Sequence, residues 1–255
     1  MSHWKKSLAS PALFMSLVTL STSCGEAGDM SETMARSAPT PQASIAPLPE
    51  QWQALQHIAP ATCQELKNSN PHAVDGEYVL YFNGNPIQPW TAWCHDMAGT
   101  PTEYLTLKET GSYNYSQYTA GGASPGTTVR TTYFKLRINP ATLRVNTADQ
   151  TFSSSSGHLQ HASTVPVNSM SYASAMSCDL AVAGVANIDL RGTPFTVAAN
   201  PFSVMGSGAV GTTTYSADAK VVDLKGGGYC GWNAPTGSSN PYNQNGGQLP
   251  LVYSP

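Results

Sequence analysis

His158 and His161 stand three residues apart behind the hydroxyl run Ser153–Ser156, and His95-Asp96 directly follows Cys94. Imidazoles serve as metal ligands and as general bases, and a neighbouring carboxylate is their usual orienting partner. If the chain were a hydrolase, His95, Asp96, His158 and His161 would be its candidate catalytic residues. In a Ser-rich stretch, however, the pair at i, i+3 reads first as solvated side chains. The zinc-hydrolase pattern H-E-x-x-H, two imidazoles one helical turn apart with a Glu base between them, does not occur. Gly206-Ser207-Gly208-Ala209-Val210-Gly211 spells G-x-G-x-x-G, but it runs into the strand-like Thr212-Thr213-Thr214-Tyr215. No helix N-terminus is then offered to a pyrophosphate. The sequence also lacks a P-loop and a calcium loop of alternating Asp residues. No cofactor and no metal are therefore expected.

Aromatic side chains supply the other chemistry. Tyr113, Tyr115 and Tyr118 lie between Gly111 and Ala120-Gly121-Gly122. Tyrosines with polar neighbours are favoured anchors of binding surfaces, because each ring offers large contact area with few torsions to freeze. These three are expected to be exposed and to form the binding surface, whereas Trp93 is expected in the core.

The elements that position these residues are strands. Of 255 residues 11% are charged and the net charge is -3, which leaves nothing from which to build a nucleic-acid-binding stripe. With 40% hydrophobic residues, 22 Gly and 19 Pro, the chain has apolar mass for one core and too many breakers for a helical bundle. Strand patterns occupy Glu77–Phe82, Tyr104–Leu107, Thr131–Ile138, Leu143–Asn146, Asn187–Leu190 and Ala217–Leu224, and Cys63–Asn68 is the one plausible early helix. The expected class is α+β, sheet-dominated, in a single disulfide-stapled domain.

Lys5 and Lys6, the apolar run Leu8–Leu20 and the small residues Ser21-Thr22-Ser23 have the layout of a secretory signal over residues 1–23. An apolar run of about thirteen residues is too short to span a bilayer. With Cys24 next, the junction resembles a bacterial lipoprotein signal, which implies a lipidated Cys24 and membrane contact only through that anchor. Residues 24–59 read as a tether rich in Ala, Ser, Thr and Pro, with a possible short helix over 50–58. Cys63, Cys94, Cys178 and Cys230 remain. An even number in an exported chain argues for bridges, in one of three connectivities that sequence alone leaves open.

Cys63-Gln64-Glu65-Leu66, Asp75-Gly76-Glu77-Tyr78-Val79-Leu80, Trp93-Cys94-His95-Asp96-Met97 and Glu103-Tyr104-Leu105-Thr106-Leu107 resemble the opening of a GON domain. The resemblance continues through Asn114-Tyr115-Ser116, Phe134–Ile138, Thr147–Phe152, Ile188–Thr193 and Gly227-Gly228-Tyr229-Cys230-Gly231. It covers Thr62 to about Thr236, inside a GON-like domain assigned to residues 60–255. GON domains are the C-terminal module of some secreted ADAMTS-type metalloproteases, and this chain looks like a bacterial stand-alone copy. Its opening block is also similar to fibrinogen-like domains, where a Cys, a Gly-x-Tyr strand and a Cys-Asp-Met-like segment form a bridged hairpin unit. That similarity implies pairing of Cys63 with Cys94, and leaves Cys178 for Cys230.

What the resemblance implies is a non-enzymatic recognition module for a protein or glycan, at the cell surface or extracellular, ancillary to an exported protease. The alternative is a secreted zinc metalloendopeptidase-type hydrolase, the label carried by the family's parent proteases. The implied location is outside the cytoplasm, as a bacterial outer membrane lipoprotein or a secreted protein.

Overall fold

A computed structural model of the protein describes residues 59–255 except Val182. The residues read as a signal segment (1–23), as Cys24 and as a tether with a short helix over 50–58 lie outside the described residues, apart from residue 59.

The first described element is α1 (Cys63–Ser69). Thr62 is extended and its hydroxyl accepts from the Glu65 N–H at 3.0 Å, while the Glu65 carboxylate reaches back to the Ala61 N–H at 2.7 Å. This reciprocal capping satisfies donors that a helix start leaves free. Pro71 follows immediately after the cap residue Asn70, whose N–H still bonds the Leu66 carbonyl.

Seventeen strands follow among the described residues. In chain order they are β1 (Gly76–Tyr81), β2 (Pro89–His95), β3 (Thr102–Thr106), β4 (Tyr115–Thr119), β5 (Gly126–Tyr133), β6 (Lys135–Asn139), β7 (Arg144–Asn146), β8 (Ser153–His161) and β9 (Val165–Val167). The second half holds β10 (Ala175–Ser177), β11 (Gly184–Asp189), β12 (Phe195–Val197), β13 (Phe202–Met205), β14 (Val210–Tyr215), β15 (Val221–Gly227), β16 (Gly231–Pro235) and β17 (Gln248–Tyr253). A seven-stranded sheet runs β1-β2-β3-β6-β7-β17-β12. A ten-stranded sheet runs β13-β16-β10-β4-β11-β15-β14, with β5 joining β4 to β8 and β9 at the end of that branch. The protein is α+β and sheet-dominated, as its breaker-rich composition predicts.

One core lies between the sheets. Leu80, Trp90, Ala92, Leu105 and Leu136 of the smaller sheet share a buried cluster with Ala175, Ala186, Ile188, Val222 and Leu224 of the larger one. A second cluster, Tyr118, Val129, Leu159, Val167, Met170, Met176, Cys178 and Tyr242, underlies the β5–β8–β9 branch. On β2 alternate residues are buried, and this places Trp90 at 2% exposure while Trp93 stands half-exposed under Lys135. The core tryptophan is thus Trp90, because strand period and not residue type decides which ring turns inward.

The apolar run Thr131–Ile138, read as one strand, is two strands in two sheets. At Phe134 the chain leaves β5 and enters β6: the Phe134 N–H bonds the Phe152 carbonyl, and its own carbonyl accepts from Leu107 N–H. The alternation slips by one position there: Val129, Thr131 and Tyr133 are buried before the crossing, Phe134 is exposed, and Leu136 and Ile138 are buried after it. Two glycines make the larger sheet's interior possible. Gly184 and Gly226 are cross-strand partners, and a Cβ at either would lie 2.2 Å from Met176 N or 2.3 Å from the Ala175 carbonyl oxygen. Bare backbone there lets β10 approach the β11–β15 pair.

Both bridges are sequential, Cys63–Cys94 and Cys178–Cys230. The first ties α1 to the β1–β2 hairpin. In the chain-entropy model each contributes roughly 4 kcal/mol. The fold also passes the last recognisable sequence block, since β17 fills the gap between β7 and β12.

Candidate functional site

Three adjacent strands of the larger sheet line up one residue each. Tyr115 at the start of β4 is opposite Asn187 of β11, and Asn187 is opposite Asp223 of β15. Directly opposed residues point to the same face, and here the Asn187 amide donates to the Asp223 carboxylate at 2.8 Å. Together with Ser112, Tyr113, Arg191 and Val221 they line an open groove of about 400 Å³.

Two guanidinium groups brace its aromatic walls. Arg130 of β5 lies with its guanidinium carbon 3.4 Å from the centre of the Tyr115 ring, and Arg191 lies 5.3 Å from that of Tyr113. Both distances are within cation–π range. Arg191 is held by a forked pair of hydrogen bonds to the fully buried Asp189 carboxylate, whose partnership raises the guanidinium's pKa and keeps it cationic.

Beneath the groove, Asn114 ties the walls together. Its N–H donates to Asn187 Oδ1 at 3.0 Å, its side-chain amide donates to the Glu109 and Asp189 carbonyls, and its Oδ1 accepts from Asp189 N–H and the Tyr172 hydroxyl. Asn114 sits at φ 53, in the left-handed region that Asn tolerates better than most residues.

The tyrosine trio divides. Tyr113 is 39% exposed and Tyr115 half-buried, both on the groove, but Tyr118 is fully buried. The expectation that Tyr118 is an exposed binding residue is therefore corrected. Three residues along a strand from Tyr115, it must point to the opposite face. Its hydroxyl meets Ser124 Oγ at 2.6 Å, His161 Nδ1 at 2.8 Å and Cys178 Sγ at 2.8 Å. Burial in this cluster pushes the phenol up to about 12.

The four candidate hydrolase residues are not brought together. His95 ends β2 in the smaller sheet, its Nδ1 2.9 Å from Asp75 Oδ2, and that carboxylate also accepts the Asp96 and Met97 N–H groups. These backbone donors, Met97 first, hold the Asp75 carboxyl below its ordinary value. Asp96, at φ 57, accepts from Thr100 N–H and closes a turn. His158 and His161 both lie on β8, where a spacing of three sends them to opposite faces. His158 is exposed and pairs with Asn168, whereas His161 is half-buried, and that burial lowers its pKa. Gly206–Ala209 forms the turn between β13 and β14, and Val210 and Gly211 already belong to β14. No helix among the described residues is long and apolar enough to cross a membrane.

Arg130, Asn187, Arg191 and Asp223 were missed by residue-type reasoning. The sole sequence signal was the polar alternation Asn187, Asp189, Arg191 running out of a strand.

The GON-domain family profile matches residues 60–125 and 122–240, so the chain belongs to the GON-domain family. No curated protein and no solved structure matches it. The GON domain is a protease-associated module, which fits a non-enzymatic extracellular module at the family level, and the two disulfides fit the same setting.

Proposed function

We propose that this protein is a non-enzymatic recognition module, ancillary to an exported protease and tethered at a bacterial outer membrane through a lipidated Cys24, and that the Tyr113–Tyr115 groove binds a glycan. The observation that carries the reading is the cross-strand row Tyr115–Asn187–Asp223 beside two arginine-braced tyrosines. Tyrosine rings offer sugar C–H faces an apolar surface. Planar amide, carboxylate and guanidinium groups supply hydrogen bonds of both polarities to hydroxyls. The row sits on three hydrogen-bonded strands, and groups held in place before binding lower its ordering cost.

Binding of the full chain to a panel of neutral and acidic oligosaccharides, followed by calorimetry, tests the site. Tyr115→Ala and Asp223→Ala should each weaken a retained glycan about tenfold or more, a loss typical of anchor residues. Unchanged affinity in both variants, or retention of peptides in place of sugars, overturns the glycan reading. The intact mass of the exported protein should correspond to a chain beginning at acylated Cys24. An unmodified terminus elsewhere removes the anchor from the proposal.

A further inference from the structure

His161, Cys178 and Cys230 converge on one point, their nitrogen and sulfur atoms all within 4.8 Å of one another, although His161 is on β8, Cys178 follows β10 and Cys230 precedes β16. His161 Nδ1 is 3.7 Å from Cys178 Sγ. In a tetrahedral zinc site, bonds of about 2.0 Å to nitrogen and 2.3 Å to sulfur set those atoms roughly 3.5 Å apart. We propose that reducing the Cys178–Cys230 bridge turns it, together with His161, into a three-ligand site for a zinc-class divalent ion.

The two bridges differ in ways that bear on this. Both cysteines of Cys63–Cys94 are fully buried, whereas Cys230 is partly exposed and His161 gives the second bridge an edge towards solvent. The Tyr118 hydroxyl lies 2.8 Å from Cys178 Sγ. A thiolate is a far stronger acceptor than a disulfide sulfur, so this donor favours the reduced, metal-ready form. The turn carrying Cys230 is the third contribution. Gly228, Tyr229 and Cys230 stand in succession at φ 81, 48 and 69, and left-handed backbone is unfavourable for the two that are not glycine. The bridge opposes relaxation of that turn. Once it opens, the turn can relax and let the sulfurs move to the separation of about 3.8 Å that two thiolates take up around zinc.

The chemistry balances. An external dithiol attacks the bridge, its two thiol protons and one electron pair pass to Cys178 and Cys230, and it leaves as its own disulfide. Zinc then displaces the two thiol protons to solvent and takes the Nδ1 lone pair of neutral His161, which the Tyr118 hydroxyl gives up. The fourth position is left to water, and the Tyr118 hydroxyl donates to the Cys178 thiolate. The site is independent of the tyrosine groove, so the two proposals stand or fall separately.

The test is a zinc titration of the full chain, before and after reduction, against a chromogenic chelator. The reduced protein should take up about one zinc ion per chain and the unreduced protein none at this site. His161→Ala should weaken uptake by about tenfold or more, since even an outer-shell partner is worth that much. A measurement on the unaltered protein does not depend on the variant folding: after mild reduction, zinc should protect Cys178 and Cys230 from alkylation and leave Cys63 and Cys94 unaffected. Absence of zinc uptake on reduction overturns the proposal. So does equal affinity in a folded His161→Ala variant, or a lack of zinc protection at Cys178 and Cys230.

Discussion

Replacing Tyr118 with alanine is expected to destabilise the protein by about 3–5 kcal/mol, the usual range for truncating a fully buried aromatic ring. The ring has no exposed surface and packs in the smaller core cluster with Val129, Leu159, Met176 and Tyr242. The hydroxyl has three partners, Ser124, His161 and Cys178. Tyr118→Phe keeps the ring and removes those contacts, and should cost roughly 1–2 kcal/mol. Tyr113→Ala on the groove should stay within about 0.5 kcal/mol, as for other surface changes. Denaturant melts of the three variants decide the matter. A Tyr118→Ala loss no larger than that of Tyr113→Ala would contradict the inward placement of the ring.

Asn114→Ala should be at least as damaging, at about 4 kcal/mol or more. It strips partners from two carbonyls, one N–H and the Tyr172 hydroxyl, and Tyr172 is itself fully buried. A buried group left without a partner costs about 1–3 kcal/mol, and the costs of neighbouring groups do not simply add. Asn114→Asp, nearly isosteric, should fare no better. It keeps an acceptor for Asp189 N–H and the Tyr172 hydroxyl but turns an oxygen towards the two carbonyls that the amide now feeds. Asn114→Gly separates backbone from side chain, because glycine accepts φ 53 without strain. If left-handed geometry were the reason for asparagine here, glycine would restore stability. The hydrogen bonds predict that it will not, and thermal melts of the three variants distinguish these outcomes.

Much of the local structure was legible in residue order. Breaker content and β-branched runs pointed to a sheet-dominated domain, the even cysteine count to bridges, and the ordered blocks from Cys63 to Gly231 to a GON domain, because each rests on chemistry within a few residues. Strand period also placed Tyr118, which lies an odd number of positions from Tyr115 and so on the opposite face. The crossing at Phe134 shows only as a one-residue slip in alternation, from Thr131 and Tyr133 to Leu136 and Ile138, which a bulge within a single strand would leave as well. The groove and its support were out of reach for a different reason. Asn114 bonds Tyr172 and Asp189 across separations of 58 and 75 residues. Tyr115, Asn187 and Asp223 become neighbours only through the register of β4, β11 and β15. Side-chain identity decides what each of these residues can donate or accept. Which of them meet is set by strand pairing, whose register depends on burying two apolar faces at once, and no short stretch of sequence contains both faces.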